Sequence, residues 1–553
     1  MPSNAEAAAL LREIADLLDL NGERFKPEAY RRAARSLETL SEELAVVAAR
    51  GGLREVPGVG DAIEEKLREY LASGRIGYLD RLRTQIPGGL LEMMRLPGVG
   101  PKTTRRFWVE LGVTDRAELA GAIEAGRLEG LKGFGPRKID QVRSALTTAA
   151  AGPAPGRVPI DVVYATAVGL RDALRAHAPV DRVEIAGSFR RCRETVGDLD
   201  LLVTSTDPEK VFDVFSANPA IAEVRMRGGT KETVVLRGGL QVDLRVVEPD
   251  AFGAALQYFT GSKEHNVRLR SLARDRGLKI NEYGVFRGDE RVGGRTEEEL
   301  YALLGLAWIP PELREDHGEI DQAASGQLPR LVEAADLRGD LHVHLPKGDP
   351  EAGLRAVCAR AEALRLDYLG IVVAEPDGSA GQLRTVDALS AAMTAAKGGA
   401  VRLLPVAEIL PETPTSEVKR VGAELLVLRP GAGTPAAPAD LPAPAALRLV
   451  AHVGGEAVAA HRWLDVAARS RIAIETGPGA ERVDSSLARA AAAMEVRLAV
   501  PTGVGEAEGE ATRAIALGFA RRAGASRESI ANARPFEGVR AGAVRRPRRP
   551  TAG

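Results

Sequence analysis

Cysteine is scarce, long apolar runs are missing and net charge is nearly nil. The 553 residues include 2 cysteines, Cys192 and Cys358, whose separation suits neither a disulfide framework nor a thiolate metal site, so a reducing compartment is expected. No apolar stretch approaches the ~20 residues of a membrane span, and the first residues carry no basic-then-apolar signal. A cytoplasmic protein, monomeric and without membrane partners, is the expectation. A net charge of −1 excludes a global basic footprint. Any nucleic-acid contact must then come from local Arg, Lys and backbone amides. What is present is 45% hydrophobic and 27% charged residues, a composition that suits several packed domains in series.

Residues 5–50 place apolar side chains at helical spacing (Leu10, Leu11, Ile14, Leu17, Leu18, then Tyr30, Ala33, Ala34, Leu37, Leu40), predicting helices. A motif then recurs three times: Val56-Pro57-Gly58-Val59-Gly60, Leu96-Pro97-Gly98-Val99-Gly100 and Leu131-Lys132-Gly133-Phe134-Gly135. Each leads into a charged amphipathic helix, which is the pattern of a helix-hairpin-helix. The Gly-hydrophobic-Gly turn aims amide N–H groups outward at a helix N-terminus, where they can hold a phosphate. One copy is equally an ordinary helix-helix turn; three copies favour binding of a DNA backbone. Lys102, Arg105, Arg106, Arg137 and Lys138 follow the turns and would add salt-sensitive contacts.

After an Ala, Pro and Gly-rich stretch from Ala150 to Pro159, short β-branched or alternating runs predict a mixed sheet: Val183–Ile185, Leu199–Val203, Thr233–Leu236 and Leu240–Val247. Within it, Gly197-Asp198-Leu199-Asp200 sets two carboxylates on one face of a strand, because residues two apart share a face. Asp243 lies in another short strand pattern and could meet them. Three converging carboxylates are what two divalent cations need, with phosphate oxygens and water completing octahedral shells. A lone Asp-x-Asp is more often a solvated strand edge. From Leu341 onward, apolar runs alternate with Ala-rich helical stretches, predicting parallel βα units in a barrel-like domain.

Gly187-Ser188, Arg191, Gly197-Asp198-Leu199-Asp200 and Asp243, followed by Tyr258-Phe259-Thr260-Gly261-Ser262 and Ile280-Asn281-Glu282-Tyr283-Gly284, resemble the signature of family X DNA polymerases. The resemblance covers residues 1 to about 320. It implies a template-directed polymerase that fills short gaps in repair, using two Mg²⁺ or Mn²⁺ ions, gapped or primed DNA and dNTPs, close to the nucleoid. Asp198, Asp200 and Asp243 would hold the metals, with Asp243 taking the primer 3′-hydroxyl proton. Gly187, Ser188, Arg191 and Gly197 would hold the triphosphate. Tyr258, Phe259 and Gly261 would pack near the sugar, and Asn266 would reach the base-pair minor groove. Gly58, Gly60, Gly98, Gly100, Gly133 and Gly135 would bind DNA, with a monovalent cation at the hairpins. Lys66 aligns with the Schiff-base lysine of the family's 5′-deoxyribose-phosphate lyase; the companion basic position is Ala62, and a solvated helix lysine is the competing reading. At Lys263 the vertebrate-type enzymes carry an acidic residue.

Asp340-Leu341-His342-Val343-His344, with Asp349, Glu408 and His452, resembles a polymerase-and-histidinol-phosphatase (PHP) domain, a βα barrel that binds Mn²⁺ or Zn²⁺ for phosphoester hydrolysis. Other ligand positions of that family are lost. Ile371-Val372-Val373-Ala374-Glu375 replaces Thr-Asp-His, no histidine stands near Leu425–Arg429, and Pro501-Thr502-Gly503-Val504-Gly505 replaces Ser-Asp-Ala-His. A remnant holding one Mn²⁺ or Zn²⁺, without 3′-to-5′ exonuclease action, is expected. The implied layout is multidomain, with all-α helix-hairpin-helix domains, an α+β palm with thumb, and a C-terminal α/β barrel. Its divisions are a lyase-like domain (1–85), fingers (86–150), linker (151–159), palm (160–250), thumb (251–320), degenerate PHP-type barrel (335–540) and disordered basic tail (541–553). Competing readings are a template-independent nucleotidyltransferase and a non-catalytic scaffold for DNA gaps.

Overall fold

The computed structural model describes residues 4–540 except 24, 39–43, 95–98, 132–133, 136–138, 140–141, 144–156, 347, 377–382, 386, 397–398, 411–412, 430–446, 451–463, 465–466, 469–471, 478–484 and 507–508. Gly98, Gly133, Arg137, Lys138, His452 and the 541–553 tail therefore lie outside the described residues. The chain divides into two compact units, Met1–Gly156 and Arg157–Gly553.

The first unit is helical, as the 3.6-residue periodicity predicts. Asn4–Leu20 and Lys26–Glu38 pair through Leu11, Ile14, Leu18, Ala33 and Leu37, all fully or almost fully buried. Each buried leucine removes enough apolar surface to contribute about 2 kcal/mol. Arg31 ties the pair by donating to Asp16 (2.8 Å) and Asp19 (2.5 Å).

The second unit opens on β1 (Val158–Pro159), which pairs antiparallel with β3 (Thr195–Val196), so the expected linker is already part of this unit's β-structure at its end. The palm sheet runs β2 (Arg182–Ile185), β4 (Asp198–Thr204), β7 (Gln241–Val246), β6 (Lys231–Leu236), β5 (Ile221–Arg227). Helices Ile160–His177 and Pro208–Ser216 share a buried cluster with the sheet through Leu170, Leu174, Phe212 and Phe215. Helix Phe252–Thr260 joins a second cluster with Ala186 and Leu202 of the sheet region.

The thumb adds helix Lys263–Asp275, the small antiparallel sheet β8 (Lys279–Asn281), β9 (Gly284–Arg287) and β10 (Glu290–Gly293), and helix Glu297–Leu303. Glu297 locks it to the palm. This buried carboxylate accepts from Arg190 (2.8 and 2.9 Å), Arg314 (2.6 and 3.0 Å) and the Trp308 indole (3.1 Å). Burial opposes its charge, yet Arg314 and Arg190 hold its pKa well below the usual carboxylate range.

The C-terminal sheet has β11 (Gly339–Val343), β12 (Tyr368–Pro376), β14 (Arg402–Ile409), β15 (Leu425–Leu428), β16 (Leu447–Val450), β17 (Ala473–Glu475) and β18 (Leu498–Ala499) in parallel order, with β13 (Leu383–Thr385) antiparallel on β12. The expected closed barrel is met in part. Among the described residues no backbone ladder joins β18 to β11. Asn532 spans the two instead, donating to Gly339 O (2.8 Å) and Val500 O (2.7 Å) and accepting from Val500 N (3.0 Å).

Candidate active site

Register assembles the carboxylates. β4 and β7 run parallel with Asp198 opposite Gln241 and Asp200 opposite Asp243. Directly paired residues share a face, so all three aspartates converge on one side of the sheet. Burial, then the charges of Asp198 and Asp243, push the Asp200 carboxyl up to about 7. The surrounding protein and Asp243 also raise Asp198, which keeps solvent access at the strand start. Asp243 accepts from Thr233 Oγ1 (2.7 Å) and Gln241 Nε2 (3.3 Å) and pairs with Lys231 Nζ (2.7 Å). Crowded like charges with raised proton affinity fit a cation site, because a divalent ion would relieve both the repulsion and the burial cost.

Above this face, Gly187–Arg190 forms a short helical turn anchored by Ala186 N donating to Asp200 O (2.7 Å). Gly187 has φ +66, and a Cβ there would sit 2.9 Å from Asp200 Oδ2. The Ser188 hydroxyl is buried with no hydrogen-bond partner among the described residues, an orphan that a bound phosphate oxygen would satisfy. Arg191 donates from Nε to Glu315 Oε1 (3.0 Å) and from Nη1 to the Thr260 carbonyl. Gly197 passes close to Arg157, whose Nη1 a Cβ would meet at 3.2 Å. Tyr258 and Phe259 pack edge to face with centroids 5.1 Å apart. The Gly261–Ser262 peptide is cis. Asn266 is engaged at both amide atoms, donating to Tyr258 O (2.7 Å) and accepting from Gln257 Nε2 (2.7 Å).

In the helical unit, Gly58 has φ +88, and a Cβ there would lie 2.9 Å from Ala33 N, so the turn tolerates only glycine. Gly60 and Gly100 cap helices Asp61–Ser73 and Pro101–Leu111 without side-chain caps, and the space about their missing Cβ atoms is open, as is that of Gly135. Lys66 is half-buried on the first of these helices, donating to Ala62 O (2.9 Å) and lying 4.7 Å from the Tyr78 ring centroid.

At the C-terminal sheet, His342, His344 and Glu408 bring candidate ligand atoms within 4.8 Å of one another. Asp349 stands apart from that group, its side chain accepting from Glu351 N (3.1 Å) as a helix cap. The cluster is already neutralised. His342 faces Glu475 through Nδ1 (2.8 Å) and Glu408 through Nε2 (2.8 Å), while His344 Nε2 lies 3.0 Å from the same Glu408 oxygen. Burial opposes the charge of His342, but Glu475 and Glu408 raise its pKa to about 10. Arg429 Nη1 donates to the other Glu408 oxygen (2.9 Å). An ion held by His342, His344 and Glu408 would take the proton's place on His342 and share Glu408 with Arg429, and three ligands offer one ion a site and fall short of a multi-metal centre.

Residues 255–315 match the family model for the DNA polymerase beta thumb, residues 2–76 a helix-hairpin-helix domain and residues 90–148 a SAM-like helix-hairpin-helix tandem. The chain is 33% identical over 367 residues, 66% of its own length and 63% of the relative's, to DNA polymerase/3′-5′ exonuclease PolX of Bacillus subtilis (strain 168). In these stretches the chain is similar to DNA polymerases of family X. It is also 26% identical over 345 residues, 56% of each chain, to DNA polymerase lambda of Rattus norvegicus. The Arabidopsis thaliana DNA polymerase lambda is 24% identical over 299 residues, 47% of this chain and 53% of that one. The matches thus span less than two thirds of these relatives' lengths. No helix among the described residues is long and apolar enough to cross a membrane.

Sequence motifs did not reveal Lys231, Arg157, Glu315, Glu375, Arg429 or Glu475. Lys231 was within reach, since it lies two residues before Thr233 on the strand next to Asp243. Glu375, the last residue of the Ile371–Glu375 run that replaces Thr-Asp-His, approaches His344 Nδ1 at 3.5 Å.

Proposed function

We propose that the chain is a template-directed DNA polymerase that fills short gaps, joining deoxynucleotides to a primer 3′-hydroxyl with release of diphosphate. The observation that carries this is the β4–β7 register, which puts Asp198, Asp200 and Asp243 on one face beside the unsatisfied Ser188 hydroxyl. Two Mg²⁺ or Mn²⁺ ions bound there would lower the proton affinity of the 3′-hydroxyl and neutralise the leaving diphosphate. Asp198 and Asp200 would hold both ions. Asp243, fixed by Thr233, would help to hold the catalytic ion and would accept the 3′-hydroxyl proton.

Ser188 donates to a phosphate oxygen, Gly187 and Gly197 leave room for the triphosphate, and Arg191 offers it a planar charged donor. Tyr258, Phe259 and Gly261 line the sugar side, and Asn266 reads the minor-groove edge. Gly58, Gly60, Gly98, Gly100, Gly133 and Gly135 hold the DNA backbone on either side of a gap, with a monovalent cation at the hairpin carbonyls. Lys66, half-buried beside Tyr78 and carrying a primary amine, would serve a 5′-deoxyribose-phosphate lyase step. The C-terminal region no longer acts as an exonuclease, since the ligand positions at Ile371–Glu375 and Pro501–Gly505 are lost and Arg429 shares the Glu408 carboxylate.

The test is extension of a primer across a gapped duplex, with and without a 5′-phosphate, in Mg²⁺ or Mn²⁺. Extension that persists in Asp243→Ala would sink the proposal.

A further inference from the structure

Helix Gly509–Arg522, from the C-terminal part of the chain, is built into the palm. Its Ile515 and Phe519 belong to the same buried cluster as Ile160, Val163 and Leu170. Between them Gly518 lets the helix backbone press on the turn that follows Arg191: a Cβ at Gly518 would lie 2.4 Å from Cys192 Sγ. The helix ends at that turn with Arg522. This buried guanidinium donates from Nη1 to the Arg191 carbonyl (2.9 Å) and to Glu315 Oε1 (2.9 Å), and its Nε lies 4.0 Å from Glu194. Glu315 Oε1 also accepts from Arg191 Nε (3.0 Å), and its Oε2 accepts from Arg193 (3.3 Å). Arg191 is thus held at its carbonyl and, through Glu315, at its guanidinium by one side chain 331 residues downstream.

We propose that Arg522 is a positioning residue for the incoming nucleotide: through Glu315 and the Arg191 carbonyl it fixes the orientation in which Arg191 meets the triphosphate. The inference rests on the polymerase reading above and deepens it. Glu315 is shared among three arginines, so Arg191 is steadied without being fully neutralised. Remove Arg522 and two things change together. The carboxylate is left to Arg191 and Arg193, which draws Arg191 closer to it, and the Arg191 carbonyl loses its donor. A misplaced phosphate-binding group weakens substrate binding more than the chemical step when the reacting atoms themselves are held elsewhere, here by the aspartates. The same arrangement gives a ligand-depleted C-terminal region a role in the palm.

Arg521 supplies the control. It lies on the same helix and donates to Glu312 (2.6 Å) and to the Val332 carbonyl (3.0 Å), with no hydrogen bond to Arg191 among the described residues. In gap filling, Arg522→Gln is expected to raise the dNTP KM about tenfold with kcat within about threefold, Arg522→Lys to recover part of that loss, and Arg521→Gln to leave KM unchanged. Equilibrium titration with dNTP should repeat the order without turnover. An unchanged KM in Arg522→Gln, or an equal rise in Arg521→Gln, overturns the inference. If Arg522→Gln does not fold, Arg522→Lys carries the test, because the lysine nitrogen falls one bond short of the Nη1 position that reaches both carbonyl and carboxylate and leaves no donor in place of Nε near Glu194; a wild-type KM there is equally fatal. Absence of primer extension by the wild-type protein sinks the polymerase reading alone, whereas dNTP binding that is absent, or identical in wild type and Arg522→Gln, sinks this one.

Discussion

Asp200 and Asp243 stand directly opposite each other on neighbouring parallel strands, two carboxylates in a position where apolar pairs usually sit. The arrangement costs stability whenever no cation is bound, since burial and the charges of its neighbours both oppose ionisation of Asp200. Asp200→Asn is therefore expected to stabilise the metal-free protein by on the order of 2 kcal/mol at pH 8 while abolishing extension. Thermal unfolding in chelator and a primer assay check it; a lower melting temperature would contradict the account.

Gly187 begins the turn beneath the expected triphosphate with φ +66. Alanine there meets both backbone strain, roughly 1–3 kcal/mol, and the Asp200 oxygen 2.9 Å from its Cβ. Because the displaced atom is a candidate metal ligand, the effect on rate should exceed that on stability. Gly187→Ala is expected to lose about a hundredfold in extension with only a modest fall in melting temperature.

Glu315 gives a pH signature away from the carboxylate cluster. Burial raises its pKa, but Arg191, Arg522 and Arg193 outweigh that and bring it down to about 2. A carboxylate with a depressed folded-state pKa contributes stability in full above its unfolded value, near 4.5, and loses it as pH falls toward 2. Glu315→Gln removes that contribution. The stability gap between wild type and variant should be wide at pH 7, on the order of 3 kcal/mol, and should narrow through the window from about 4.5 to 2. A gap that stays constant across that window would refute the assignment.

The Glu408 carboxylate is shared by two imidazoles and Arg429. With only His342, His344 and Glu408 gathered as ligands among the described residues and Arg429 on Glu408, a 3′-labelled single strand incubated with Mn²⁺ and no nucleotides should remain full length. Shortening that disappears in His342→Ala would reinstate the hydrolytic site.

Much of this was legible in the chain itself, for identifiable reasons. Parallel strands covered on both faces read as unbroken apolar runs, so Tyr368–Val373 and Leu403–Ile409 stand out in the sequence inside β12 and β14, the first stopping three residues short of Pro376. The edge strand Ile221–Arg227 was not, because it is exposed along most of its length and its charges hide the alternation. Asp198 and Asp200 announce themselves by spacing. That Asp243 meets them depends on strand order, which places β7 beside β4 and sends β5 and β6 outward. Arg429, Glu475 and Arg522 belong to no motif; Arg429 meets Glu408 across 21 residues and Arg522 meets Arg191 across 331, contacts that only the folded chain creates.

Ile515 and Phe519 also bear on how this gene product can be shortened. A fragment ending after the thumb would keep every palm aspartate yet leave bare the apolar side of helix Ile160–His177 that those two residues cover. Such a fragment should be sticky and poorly soluble. Side chains such as His342, His344 and Glu408 can therefore be replaced one at a time, while outright deletion of that half is closed off by what it would expose.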